Sequence, residues 1–232
     1  MVSVPHKRVC MIALTVSLMS TLRAQEYKYE IGGMTGGSFY MGDANKNQLF
    51  ASIHPSFGGV FRYNYNLRWA VKADLMWGQV SGTTIGGSNA FPSPAQTSFT
   101  RNLFDIGGQM EFNFLPYSDK FAYLNAQRLT PYIFIGLGAT LAPGGGETFA
   151  GINIPVGAGL KYKIKSRINL GVEFSMRKLF GDNFDSASLK APYGIESGGW
   201  KNQDWYSFLL LFVTWDFGLR CGTCNNRYTT VK

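Results

Sequence analysis

The residues best suited to covalent chemistry lie near the end of the chain, where Cys221 and Cys224 form the sequence Cys-Gly-Thr-Cys. Two thiols at this spacing can form a local disulfide, bond to a cysteine of a partner, exchange disulfides with a substrate or ligate zinc. Redox exchange is disfavoured because the motif lacks the βα setting of thioredoxin-like proteins, and a zinc site needs further ligands. A local disulfide and a bond to a partner's cysteine both remain open.

Acid–base catalysis at neutral pH depends on a single residue. The chain has two histidines, and His6 lies in a segment with the features of a leader, which leaves His54. A hydrolase of the Ser-His type needs an imidazole beside a serine, and Ser52 and Ser56 are close in sequence. Because sequence adjacency does not establish a catalytic pair, we expect a solvated His54 in the first external loop. We assign no catalytic residue, cofactor or metal ligand, and a His54-dependent hydrolase is the alternative.

Charged residues of both signs occupy alternate positions among apolar residues, which places them on one face of extended strands. The inward-facing charges that this pattern predicts are Arg62, Lys72, Asp74, Arg101, Asp105, Glu111, Lys161, Glu173, Arg177 and Asp216. The interior of a barrel of eight strands is only wide enough for side chains, so we expect these charges to pair in a packed polar interior. A water-filled channel is the alternative.

The elements that must position these residues are eight segments with period-two alternation, separated by turn-rich stretches. They are Tyr29 to Tyr40, Ser56 to Asn64, Leu67 to Val80, Phe99 to Phe114, Pro131 to Leu141, Gly151 to Ile164, Ile168 to Leu179 and Trp205 to Arg220. This pattern predicts an all-β fold, an eight-stranded antiparallel transmembrane β-barrel of the OmpA-like type. A soluble β-sandwich is disfavoured because its outward-facing aromatic residues would make it insoluble. Because a closed barrel has no free edge, we expect a bulge near the outer rim at Pro155.

Two pairs of tryptophans give a test of the barrel's height. Trp205 and Trp215 lie ten residues apart on one face. A rise of about 3.3 Å per residue and a tilt of roughly 40° project this separation to about 25 Å along the membrane normal. Trp69 and Trp77 give a span of about 20 Å by the same estimate. We therefore expect these four rings to lie at the two membrane interfaces, in contact with lipid.

The start of the chain has the order of a secretory signal peptide, with the basic residues Lys7 and Arg8 before an apolar run that ends near Ala24. We expect residues 1–24 to be a signal peptide, 25–220 an outer-membrane barrel and 221–232 a periplasmic tail. The even strand number and the alternating loop lengths predict that both termini are periplasmic. Removal of the leader lowers the formal charge from +8 to +5. With no run of Lys or Arg, nucleic-acid binding is disfavoured.

The segment from Glu30 to Asp43 begins with Glu-Ile-Gly and ends with Gly-Ser-Phe-Tyr-Met-Gly-Asp. It resembles the opening of the PorG family of Bacteroidetes outer-membrane barrels, as does the Trp-Asp-Phe-Gly sequence at 215–218. The resemblance implies a component of the type IX secretion system that sits beside a periplasmic ring of the lipoprotein PorK and its companion PorN. It also implies that Cys221, Cys224 and the tail belong to the docking surface. A general OmpA-like envelope or adhesion barrel, acting through the long loops at 81–96 and 181–204, is the alternative.

Overall fold

The computed structural model describes residues 27–41, 53–83, 98–119, 125–143, 148–180 and 205–218. They contain the eight strands β1 (Tyr29–Met41), β2 (His54–Asn64), β3 (Trp69–Thr83), β4 (Ser98–Asn113), β5 (Leu129–Ala142), β6 (Phe149–Lys165), β7 (Ile168–Phe180) and β8 (Trp205–Phe217). Each strand pairs antiparallel with the next, and β8 pairs with β1, so the sheet is closed. The predicted fold class is confirmed. None of the described segments is a helix long and apolar enough to cross a membrane.

Side chains alternate between the two faces of each strand, and the barrel turns its polar face inward. In β3, Lys72 is fully buried whereas Leu75 is 61% exposed. At the centre of β8, Leu211 is 58% exposed. Water would disfavour such an apolar exterior, but hydrocarbon would not. Closure also pairs the backbone polar groups of β1 with those of β8, which is what a strand needs inside a membrane. The barrel is therefore built to span a bilayer.

The strand register fixes the tilt of the strands. A path along paired residues runs through Tyr29, Tyr63, Val71, Met110, Ile135, Val156, Met176, Ser207 and Phe39. It returns to β1 ten residues beyond its starting point. A shear of this size in eight strands corresponds to a tilt of about 40°, the value assumed in the height estimate above.

The two ends of the barrel differ in the connections that they carry. The turn end is where β1 begins, β8 ends, and β2–β3, β4–β5 and β6–β7 are connected; the loop end is opposite. At the turn end, the side-chain oxygen of Asn66 accepts hydrogen bonds from the backbone N–H groups of Arg68 and Trp69, at 2.8 and 2.7 Å. This local turn is the reason β3 starts at Trp69 and not at Leu67. The last strand ends at Phe217 because Gly218 has a φ of 108°, a left-handed conformation that an extended strand cannot continue through.

Pro155 lies inside β6, and the predicted bulge at this position is wrong. Pairing with β5 lapses between Val156 and Asn153 but resumes in the same register. On the other side Pro155 pairs regularly with Arg177 of β7. The missing N–H therefore interrupts one ladder locally without inserting a residue. The register shift of β6 occurs instead between Lys163 and Lys165, next to the β6–β7 turn.

Glycines opposite large rings make room for the interior to fill. Phe134 pairs across the strands with Gly157, Tyr132 with Gly159, and Phe212 with Gly171. A Cβ built on any of these glycines would lie 2.2 to 2.7 Å from an atom of the opposite ring or of a neighbouring backbone. Each ring therefore lies across the strand that carries its glycine, and a side chain at the glycine position would displace it.

Replacement of Gly171 by Ala is expected to lower the free energy of unfolding by about 1–3 kcal/mol, the usual cost of overpacking a core. The added Cβ would lie 2.2 Å from Cζ of Phe212 and 2.3 Å from the carbonyl oxygen of Leu160. Urea unfolding in lipid vesicles, followed by tryptophan fluorescence, measures the change. Gly108→Ala is the matched control, since no atom lies within 4 Å of a Cβ there. Equal losses in the two variants would contradict the packing role of Gly171.

Candidate functional site

The barrel interior holds a balanced set of charges. Twelve charged residues are buried in the part of the chain that the structure describes, six cations and six anions. The ten residues predicted from the sequence are all among them, and Glu30 and Lys163 complete the set. Their formal charges sum to zero, so the interior carries no net charge to attract a counter-ion.

Glu111 lies at the centre of the largest cluster. Its two oxygens accept hydrogen bonds from Nε of Arg62 at 3.0 and 3.1 Å, and it pairs with Lys161. The ammonium of Lys72 lies 3.7 Å from the same carboxylate and 2.7 Å from Glu173. These residues come from five of the eight strands, so the cluster connects opposite walls of the barrel.

A second cluster lies nearer the loop end. The guanidinium of Arg177 donates to Asp74 at 2.9 Å and pairs with Asp105. The hydroxyl of Tyr206 donates to Asp105, and Asn153 donates to the same oxygen at 2.6 Å. Arg101 is also buried in this half of the barrel. The carboxylates of Asp74 and Asp105 thus accept hydrogen bonds from buried side chains, and these bonds offset part of the cost of burying the two charges.

A third cluster closes the interior at the turn end. Lys163 pairs with Asp216, and Asn169 donates to the same carboxylate at 2.5 Å. The hydroxyl of Tyr117, from the β4–β5 connection, donates to Asn169 at 2.8 Å. Burial raises the pKa of the Tyr117 hydroxyl well above its usual range, so this group stays protonated and acts as a donor.

Residues 114–119 of the β4–β5 connection pack against the end of the barrel and so position Tyr117. The backbone N–H of Tyr117 donates to the carbonyl of Leu67 in the β2–β3 turn, at 3.0 Å. Tyr117 and Gln127 form an isolated β-bridge within the connection. The connection is long for a turn on this side, and its described residues cover the end of the interior.

Most buried cations contact an aromatic ring as well as a carboxylate. The cation–ring pairs are Arg62 with Phe212, Lys72 with Phe134, Lys161 with Tyr132, Lys163 with Tyr117, and Arg177 with Phe208, at 4.2 to 5.2 Å from the ring centroids. Three of these rings lie across the glycines described above. The unit that repeats in the interior is thus a glycine, a ring over it, a cation on the ring and a carboxylate on the cation.

Sequence reasoning missed Glu30 and Lys163, although the signal for both was present. Glu30 has the same parity as the buried Met34 and Ser38 of β1. Lys163 lies two positions after Lys161 and therefore on the same face of β6. The contacts that two rings of β8 make with Arg62 and Arg177 depend on the positions of strands distant in sequence.

Aromatic residues form a band at each end of the exterior. At the turn end these are Tyr29, Phe61, Tyr63, Trp69, Phe112, Phe114, Trp215 and Phe217, and at the loop end Phe57, Trp77, Phe104 and Trp205. The predicted tryptophans therefore lie two at each end. Lys178 faces outward near the loop end, and its ammonium lies 5.5 Å from the ring of Trp205. Such bands are typical of the two interfaces of a membrane barrel.

His54 is the first residue of β2, so its predicted place in a loop is wrong. Its Nε2 lies 2.8 Å from Oγ of Ser81, a serine that sequence adjacency did not suggest. Within the described ranges no carboxylate contacts the imidazole to orient it, and no cluster of His, Cys, Asp or Glu there could hold a metal ion. The described residues therefore supply this pair with no third group of the kind found in a catalytic triad. Cys221, Cys224 and residues 1–24 lie outside the described residues.

Comparison with known proteins gives a family and a set of barrels. A family model described as a domain of unknown function, DUF6089, matches residues 7–226. No curated protein matches the chain. Neisserial surface protein A has a similar structure, with 12% identity over 82% of this chain and 97% of that one and a TM-score of 0.48. Ail of Yersinia pestis gives 12% identity, the same coverages and a TM-score of 0.44. OprG of Pseudomonas aeruginosa gives 9% identity over 83% and 97%, with a TM-score of 0.42.

Proposed function

We propose that this chain, which belongs to the family described as domain of unknown function DUF6089, is a non-enzymatic outer-membrane component of the type IX protein secretion machinery. It anchors or positions the periplasmic ring built from PorK and PorN. The assignment to this machinery is carried by the first strand and its exit, Glu30 to Asp43, which resemble the PorG family.

The paired interior supports a structural role over catalysis or conduction. Each carboxylate of the central cluster is engaged by cations, as Glu111 is by Arg62 and Lys161. A buried anion held in this way is not available as a base, and the network fills the space that a channel would need. Function is therefore expected at the ends of the barrel, where it can contact other proteins.

The turn end is the side that faces the periplasm in this proposal. Strand β1 begins and β8 ends at the turn end, so the chain enters the barrel at Tyr29 and leaves it after Phe217 on this side. Residues 114–119 and 125–128 of the β4–β5 connection lie at the same end and offer a second surface to a partner. Cys221 and Cys224 follow the last strand within a few residues, which puts two thiols within reach of a periplasmic protein.

Co-purification from native membranes, with and without reductant, tests the proposal. We expect the ring lipoprotein to be recovered with the barrel. If a disulfide joins the two, non-reducing electrophoresis will show a shifted band that Cys221→Ser or Cys224→Ser removes. Cys10→Ser, in the expected leader, is the matched control and leaves the band unchanged. Migration at monomer size excludes a disulfide to a partner. Recovery of no ring component under either condition would overturn the proposal and favour a general envelope barrel.

A further inference from the structure

The exposed charged residues in the described part of the chain are all basic, and they lie at one end of the barrel. Five basic side chains are exposed at the turn end, namely Lys28, Arg68, Arg128, Lys165 and Arg167. No carboxylate is exposed anywhere in the described part of the chain, and Asp119, the one acidic residue outside the strands there, is half-buried. Since the interior charges cancel, these five cations, here called the basic rim, are the exposed charges that the described residues place at this end of the barrel.

The basic rim surrounds the barrel and lies at the level of the aromatic band. Its members flank β1, β3, β5, β6 and β7, so they are spread over the circumference. The guanidinium of Arg68 donates to the carbonyl of Phe114 at 2.6 Å. The guanidinium of Arg167 lies 5.3 Å from the ring centroid of Tyr27 and 6.0 Å from that of the outward-facing Trp215. Two of the five cations therefore contact residues at the level where lipid headgroups meet the barrel.

We infer that the basic rim binds anionic phospholipid headgroups, with the phosphate diester as the group recognised. Arginine presents paired donors to phosphate oxygens, and lysine supplies a point charge. An acidic protein would contact one side of this end, whereas cations around the whole circumference, next to lipid-facing rings, match a surrounding layer of lipid. The inference rests on the orientation proposed above, which places the rim in the inner leaflet.

Lipid retention by the purified full chain tests the inference. The protein is placed in nanodiscs of phosphatidylethanolamine and phosphatidylglycerol in equal amounts, then re-extracted in mild detergent, and the retained lipids are measured by native mass spectrometry. We expect enrichment of phosphatidylglycerol. In the triple variant Lys28→Gln, Arg128→Gln, Lys165→Gln, we expect the enrichment to fall by about fivefold or more, since one basic residue at an anionic surface contributes about that factor. Raising the salt concentration should weaken the enrichment in the wild type.

Lys178→Gln is the matched control, because this lysine faces outward at the loop end and its loss should leave the enrichment unchanged. Equal retention of the two lipids by the wild type, or full enrichment in the triple variant, would overturn the inference. If the triple variant does not fold, the single variants Arg128→Gln and Lys165→Gln are compared in the same way. Because no periplasmic protein is present, the result is independent of the proposed ring. Rim variants that lose ring recovery in native membranes but keep their lipid preference would show a protein site and also overturn it.

Discussion

Glu111→Gln is expected to lower the free energy of unfolding by about 3–5 kcal/mol, the range found when one partner of a buried ion pair is removed. The variant keeps the size of the side chain but removes its charge. Arg62 and Lys161 then lose the carboxylate that they share, and the ammonium of Lys72 loses an anion 3.7 Å away. Three buried cations are left with Glu30 and Glu173, and the balance of charge in the interior is broken.

Urea unfolding in lipid vesicles measures the effect, and a double-mutant cycle with Lys161→Met identifies its cause. Lys161 takes Glu111 as its carboxylate partner, so removing both charges restores neutrality. The double variant should therefore lose less stability than the sum of the single variants, with a coupling energy of about 0.5–3 kcal/mol. Lys178→Gln, which removes an outward-facing charge at the loop end, should change stability little. Additive losses at Glu111 and Lys161 would contradict the network.

The inward face of each strand was predictable from the sequence because alternation has a fixed period. A charge such as Lys72, between Val71 and Ala73, can be buried in a barrel only by pointing inward, and the structure places it there. Its partner was not predictable. Glu173 lies 101 positions away, and the two meet because the shear of the barrel brings β3 and β7 to the same height. Ion-pair partners depend on the closed register, which no single segment contains.

The two wrong predictions have local causes. A proline was expected to need a bulge because it lacks a donor, but Pro155 interrupts only the β5 ladder, where pairing resumes two residues further on. His54 was assigned to a loop because the second strand was predicted to begin at Ser56. Pairing with Ser38 of β1 nevertheless extends β2 across the intervening proline to His54. In both cases the neighbouring strands maintain pairing around a proline, which has no N–H to donate to the ladder.

The apolar inward residues of β8 also follow from the network and not from the pattern of β8 itself. Phe212 supports the guanidinium of Arg62, and Phe208 that of Arg177. A strand whose interior face was entirely polar would leave these two cations without an aromatic ring to contact. The low polarity of the inner face of β8 is therefore explained in part by the cations that lie on its rings.

Leu211→Arg is expected to lower the free energy of unfolding by about 2–4 kcal/mol, because a charge on the lipid face is most costly at the bilayer midplane. Leu211 is 58% exposed and lies at the middle of β8, between Trp205 and Trp215 in the two aromatic bands. Urea unfolding of the variant in lipid vesicles, compared with the wild type, measures the loss. On a surface that faces water, the same substitution should change the free energy of unfolding little. The size of the loss therefore distinguishes lipid from water around Leu211.

Ile168→Arg is the matched control, since Ile168 is also an outward-facing aliphatic residue but lies at the turn end, as the first residue of β7. Near an interface the same substitution should cost about 0–1 kcal/mol. The two positions differ in their depth in the bilayer, because both side chains face away from the interior. Equal costs would contradict a bilayer centred on the middle of β8. A larger cost at Ile168 would place the hydrocarbon around the turn end and would remove the basis for headgroups at the basic rim.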